Sequence, residues 1–149
     1  MRGVRIVETV VAAAGLFAAW SLVAITLAQV AILLARKAGV ATVAAQEAVM
    51  VLAVPAVLLA IPWALQRERH VAVDLFAGPR ARTVGALLAL LLGLALLWFA
   101  APYAWSSFAA GEGSYEAGGI GWRWLAKAAL PVFALLLALQ ALVSFLRRP

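Results

Sequence analysis

The placement of charge constrains this chain more than any motif does. Its 149 residues include 12 Lys and Arg and 6 Asp and Glu. All of these fall outside four uncharged runs, Thr9–Ala35, Ala48–Gln66, Thr83–Gly111 and Ala128–Leu146, which are 27, 19, 29 and 19 residues long. An α-helix rises about 1.5 Å per residue, so about 20 apolar residues cross a hydrocarbon core roughly 30 Å thick. Each run therefore reads as a transmembrane helix, and the two longer ones can tilt or extend past the interface. Composition agrees. The chain is 67% hydrophobic and 12% charged, against roughly 45–50% apolar and about 25% charged in soluble domains. A chain of this size leaves about 30% of its unfolded surface in water, which excludes a soluble globule. Disorder is excluded because it needs low hydrophobicity. The expected class is an all-α integral membrane protein of four transmembrane helices. It forms a single domain over residues 1–149, with helices at about 9–35, 48–66, 83–111 and 128–146.

Arg2 and Arg5 precede the first run as they would in a signal peptide. A signal's apolar region spans about 7–15 residues, so an uncleaved first helix is the expectation. Topology follows from the basic residues, which favour the cytoplasmic side. With both ends inside, that side carries Arg2, Arg5, Arg67, Arg69, Arg80, Arg82, Arg147 and Arg148, and the other only Arg36, Lys37, Arg123 and Lys127. This predicts an N-in, C-in arrangement. The net charge of +6 is spread over short segments, so it reads as membrane topology and not as a nucleic-acid surface. With no cysteine, there are no disulfides and no thiol-ligated metal.

The connections Arg36–Glu47, Arg67–Arg82 and Glu112–Lys127 hold 12, 16 and 16 residues, too few for a further domain. Glycines at 111, 113, 118, 119 and 121 mark the third as the most flexible part. Gly78-Pro79 reads as a turn, with Pro79 in the first turn of the third helix and Pro131 in the same role in the fourth. Pro55 and Pro62 lie inside the second run, where they are expected to kink it.

Function is constrained first by what the helices lack. Pumps and ion-coupled transporters keep ionisable residues within the membrane, and here none lies near a helix midpoint. Glu8 and Glu47 stand at run boundaries, and the one histidine, His70, lies in a connection, so no axial haem ligand is available inside a bundle. No cofactor, metal site or enzyme activity is expected of this chain. What the helices offer is contact surface. Gly85, Ala89 and Gly93, and Gly15 with Ala19, form small-residue stripes that let backbones approach closely, within the bundle or at a docking face. Thr26 with Gln29, and Gln140 with Ser144, place polar groups for interhelical hydrogen bonds or a substrate contact. Trp122, Trp124 and Trp63 fit an interfacial belt. Trp20 and Trp98 fall near helix centres, as buried packing or a partner interface would require.

One connection carries a distinctive arrangement, Arg67-Glu68-Arg69-His70-Val71-Ala72-Val73-Asp74-Leu75-Phe76. By itself it can be a loop held by salt bridges and topology-setting arginines. It also resembles the signature of the small membrane subunit of tripartite ATP-independent periplasmic (TRAP) transporters, the DctQ family. That signature reads roughly basic-x-x-His-aliphatic-x-Val-Asp-aliphatic between the second and third of four transmembrane helices. Arg67, His70, Val71, Val73, Asp74 and Leu75 match it in position. Gln46-Glu47 stands where the family carries one or two glutamates. Trp122 to Pro131 resembles the aromatic and basic entry to its last helix. The likeness runs from about Arg36 to Leu142. The single glutamate and the alanine-rich Ala38–Ala45 depart from the pattern.

The resemblance implies a division of labour in a bacterial inner membrane. A periplasmic binding protein captures an organic acid or similar solute. A large membrane subunit carries the substrate site and the sodium coupling. The small subunit is the scaffold packed against it, with the lipid bilayer around both. Glu47, Arg67, His70 and Asp74 are then the candidates for fixing loops or meeting the partner. The alternatives are an accessory anchor of another complex and a small homo-oligomeric exporter. Exporters of this size rely on a glutamate within the first helix, and Glu8 is too near its end.

Overall fold

The computed structural model describes residues 2–67 and 79–146, and their side chains except those of 79–82. It contains four helices, α1 (Arg2–Lys37), α2 (Val43–Gln66), α3 (Pro79–Ala109) and α4 (Trp124–Leu146). Each is long and apolar enough to cross a membrane. Every helix starts before its uncharged run does: α1 at Arg2, α2 at Val43, α3 at Pro79 and α4 at Trp124. The reason is physical. Absence of charge marks the stretch that hydrocarbon tolerates, whereas helical hydrogen bonding continues beyond it, where Arg5 is exposed and Glu47 and Lys127 are paired with Arg123 and Glu112. Pro79 opens α3 as expected, but Pro131 lies well inside α4 because that helix begins at Trp124. Pro55 and Pro62 lie inside α2 as expected, and α3 contains a further interior proline, Pro102. A membrane helix tolerates such residues because neighbouring groups re-satisfy the freed carbonyls.

Two helices end on glycine by the same device. Gly39 has φ 78° and Gly111 φ 60°, a left-handed conformation that other residues adopt at a steric penalty. At the first, Val40 N–H donates to the Ala35 carbonyl and Gly39 N–H to that of Arg36, both at 3.0 Å. At the second, Glu112 N–H donates to Ser107 at 3.1 Å and Gly111 N–H to Phe108 at 3.0 Å. Both are Schellman closures, which satisfy the last carbonyls of a helix. The closure at Gly111 stops α3 short of the end of its uncharged run.

Packing departs from a closed bundle. α1 lies on α2, α2 on α4 and α4 on α3, with a smaller contact between α1 and α4. Among the described residues α3 packs against no helix but α4. The spatial order is thus α1, α2, α4, α3, with α4 in the middle of an open array. The 38–42 connection and the α3–α4 loop share one end of the array, because Glu47 at the start of α2 touches Ile120. The start of α1 and the end of α2 meet at the other end, where the Gln66 amide donates to the Glu8 carbonyl at 3.0 Å.

The contact seams follow heptads. On α3 the buried residues Ala86, Gly93, Ala100 and Ser107 recur every seven positions, with Ala104 beside them. On α1, Val11 and Ala18 are fully buried and Ile32 continues their line, with Gly15 between them. This corrects both expected stripes. Ala19 and Gly85 are exposed, and only Gly15 and Gly93 are buried. Steps of four residues turn about 400°, so a stripe built on them drifts off a seam that steps of seven, about 700°, hold nearly straight. The polar pairs are corrected too. Thr26 donates to the Leu22 carbonyl of its own helix at 2.8 Å, and Gln140 reaches Ser144 on its own helix at 3.5 Å. Trp20 and Trp98 are not buried; they are 67% and 79% exposed.

Candidate functional site

The loop end of the array gathers most of the described ionisable side chains. Glu47 stands in the second turn of α2 with its side chain 14% exposed. Its Oε2 accepts a hydrogen bond from the Ile120 backbone N–H at 3.0 Å, 73 residues away in sequence. Its Oε1 lies 3.6 Å from Arg123 Nη1, and the Ser114 hydroxyl stands against the same carboxylate. Gly119 makes this approach possible. A Cβ there would collide with both the Ser114 side chain and the Glu47 carboxylate. The α3–α4 loop is therefore a built structure and not a loose tether. Ser114 N–H donates to the Ile120 carbonyl at 2.8 Å, Gly119 N–H to Glu116 at 3.1 Å, and Glu116 N–H to the Ser114 hydroxyl at 3.0 Å.

A second carboxylate, Glu112, closes the junction of α3 and α4. The Ser107 hydroxyl and the Lys127 ammonium both donate to its Oε2, each at 2.5 Å. These bonds, that from Lys127 foremost, hold the Glu112 carboxyl below the usual carboxylate range, because hydrogen bonds to the charged form favour it. The Lys127 ammonium also stands 4.5 Å from the centre of the Tyr103 ring. Phe108 meets Trp124 edge to face, with ring centroids 4.9 Å apart, a preferred aromatic geometry. Trp124 is thus packed against α3, while Trp122 is 36% exposed. The sequence reading missed Glu112, Ser107, Ser114 and Arg123 as a connected group. For Glu112 and Ser114 the available signal is the density of Glu, Ser and Gly between 111 and 121, which equally marks a flexible segment; Ser107 and Arg123 have none in that stretch.

The opposite end centres on Trp63 and Arg67. The Trp63 ring lies so close to α1 that a Cβ on Gly15 would occupy the same space. The Arg67 guanidinium carbon stands 4.2 Å from the centre of that ring, within the range of a cation–π contact. The sequence candidates are therefore not brought together as one site. Glu47 belongs to the loop end and Arg67 to the other, while His70 and Asp74 lie outside the described residues. Among the described residues no three His, Cys, Asp or Glu side chains assemble as a metal would require.

Of the likeness seen in the sequence, the four membrane-length helices, Glu47 at the start of α2 and the Trp122–Pro131 entry to α4 fall among the described residues, whereas the 67–75 motif lies outside them beyond Arg67. A family model described as tripartite ATP-independent periplasmic transporters, DctQ component, matches residues 22–148. The chain belongs to the DctQ family. The match takes in α2, α3, α4, their connections and the second half of α1. No curated protein and no solved structure matches the chain. A DctQ component is the small membrane subunit of a TRAP transporter and not a member of an enzyme family. The chain is accordingly a multi-pass membrane protein of a transport system.

Proposed function

We propose that this chain is the non-catalytic scaffold of a sodium-coupled TRAP system. The system imports an organic acid or similar solute across a bacterial inner membrane. The DctQ match over residues 22–148 carries the reading. The charged residues of the four helices all lie near helix ends and none near a midpoint, which supports it, since a chain that moved an ion or a solute by itself would keep such groups in the membrane. A large membrane subunit supplies the substrate site and the coupling, and a periplasmic binding protein delivers the solute. The single helical domain is oriented with both ends inside, so the loop end faces the periplasm.

Within that reading Glu47 fixes the α3–α4 loop against α2, Arg67 holds the inner end of α2, and His70 and Asp74 act in the connection that follows it. Affinity purification of the tagged chain in mild detergent tests the assignment. A much larger polytopic protein is expected to come with it in a fixed ratio. Recovery of the chain only as a monomer or homo-oligomer would overturn the scaffold role.

A further inference from the structure

A groove of about 610 Å³ opens beside the Trp63–Arg67 stack, between α1 and the end of α2. Arg5 and Arg67 line it at its polar end, together with Glu8, and Ala12, Ala13 and Leu16 continue it along α1. The α1 residues form one stripe in steps of three and four, so they lie on one helix face. From Arg5 to Leu16 the stripe runs about 16 Å, which carries it from the interface into the hydrocarbon. Its wall is built and not incidental. Trp63 is seated on α1 at Gly15, where no Cβ fits, and Arg67 is stacked on that ring at 4.2 Å. The Thr9 hydroxyl, also in the lining, is turned back onto the Arg5 carbonyl at 2.8 Å, and Gln66 ties α2 to the Glu8 carbonyl at 3.0 Å.

We propose that this groove binds one anionic phospholipid. Its phosphate is held between the Arg5 and Arg67 guanidiniums, and one acyl chain lies along Ala12, Ala13 and Leu16. The argument is complementarity at both ends. Among the described residues, two guanidiniums against the single carboxylate of Glu8 give a positive mouth at headgroup depth, and guanidinium matches phosphate through paired N–H donors. The apolar stripe beneath suits an acyl chain and nothing charged. Basic pockets between transmembrane helices are a recurrent means of holding such headgroups. The site does not depend on the scaffold reading, since all of its residues belong to this chain.

The test uses the full chain purified in mild detergent, with native mass spectrometry after exchange into defined lipid. Phosphatidylglycerol is expected to be retained at one per chain and to raise the melting temperature saturably. Phosphatidylcholine, phosphatidylethanolamine and inorganic phosphate are expected to do neither. At about 1 kcal/mol per arginine, Arg5→Gln or Arg67→Gln is expected to weaken retention about fivefold, and the double variant about thirtyfold. Arg2→Gln, which removes the same charge outside the groove, is expected to leave it unchanged. Ala12→Phe, which fills the acyl track and keeps both arginines, is expected to abolish one-to-one retention even if the arginine variants fold poorly. Equal retention of phosphatidylethanolamine or phosphatidylcholine would overturn the proposal. So would an Arg2→Gln effect as large as that of Arg67→Gln, or the same thermal shift from inorganic phosphate alone.

Discussion

α3 and α4 are neighbours in the chain and in space, and their mean hydropathies are nearly the same, 2.5 and 2.3. Yet half of the α4 membrane window is buried, against 17% of that of α3. α4 buries Phe133, Leu136 and Leu137 among alanines, while α3 exposes Leu88, Trp98, Phe99 and Trp105 and buries chiefly alanine and glycine. In water the bulky residues would mark the inside. In lipid the surroundings are as apolar as leucine, so association depends on close packing and on small residues that permit it. Burial on α3 therefore follows the small residues, and its large ones face outward.

The strongest way to break this comparison is at Gly93. A Cβ there would stand 2.8 Å from the Ala138 backbone nitrogen and 3.0 Å from its Cα. Backbone cannot give way as the end of a side chain can, so Gly93→Leu must separate α3 from α4. The expected loss is about 3 kcal/mol, at the upper end of overpacking costs, measured by denaturant titration in mixed micelles. Gly85→Leu, in open space on the same helix, is the control and is expected to change little. Equal effects at both positions would mean that the seam does not run through Gly93.

A smaller effect of opposite sign is expected on α4. Gln140 is 3% exposed, its amide nitrogen reaches Ser144 only at 3.5 Å, and its Oε1 has no hydrogen-bond partner. A buried acceptor left unsatisfied costs about 1–3 kcal/mol. Gln140→Leu keeps the volume and removes that acceptor, so the same titration is expected to show a gain of about 1 kcal/mol. A loss of that size would mean that Gln140 bonds to a group beyond this chain, and that the polar position on α4 serves assembly.

How much of this was legible in the sequence depends on what each residue reports. The four helices were, because hydrocarbon excludes charge and the gaps between charged residues therefore measure the bilayer. Helix starts were not, because Arg5, Glu47 and Lys127 are compatible with helix in the interface. The seams were half legible: Gly15 and Gly93 were singled out, but the choice between steps of four and of seven depends on the partner helix. The absence of α3 from contact with α1 and α2 has no local signature at all. Of the candidate residues, Glu47 was found through a family pattern, and its bond to Ile120 could not be read from spacing across 73 residues. The glycines between 111 and 121 were misread because glycine marks both flexibility and close approach, and only the position of Glu47 against Gly119 distinguishes them.

The junction of the two helices gives a pH-dependent measure of the same contrast. The hydrogen bonds that hold Glu112 below the usual carboxylate range favour its charged form in the folded chain. Their contribution is complete above the unfolded pKa of about 4.3 and is lost as pH falls through the lower folded value. The junction is therefore expected to loosen on acidification below about pH 4. Emission of Trp124, whose backbone N–H donates to the Glu112 carbonyl at 3.2 Å and whose ring packs edge to face on Phe108 of α3, provides the readout in a variant lacking the other tryptophans. Glu112→Gln is expected to remove the transition. Its persistence in that variant would place the titrating group elsewhere.

The smallest effect is expected where hydropathy alone would place the largest. Trp98 is the most exposed tryptophan of α3, at 79%, with Phe99 beside it at 72%. In a soluble protein, truncating a mid-helix tryptophan commonly costs about 3–5 kcal/mol. Here the described residues leave the ring mostly uncovered, so Trp98→Ala is expected to shift stability by no more than about 0.5 kcal/mol, as at other surface positions. The same variant measured in the complex proposed above separates the two possible surroundings of that face. Unchanged recovery of the large subunit means that lipid covers Trp98, and reduced recovery with unchanged stability of the isolated chain means that the partner does. A loss above 1 kcal/mol in the isolated chain would contradict the comparison itself, because the outer face of α3 would then be packed within this subunit.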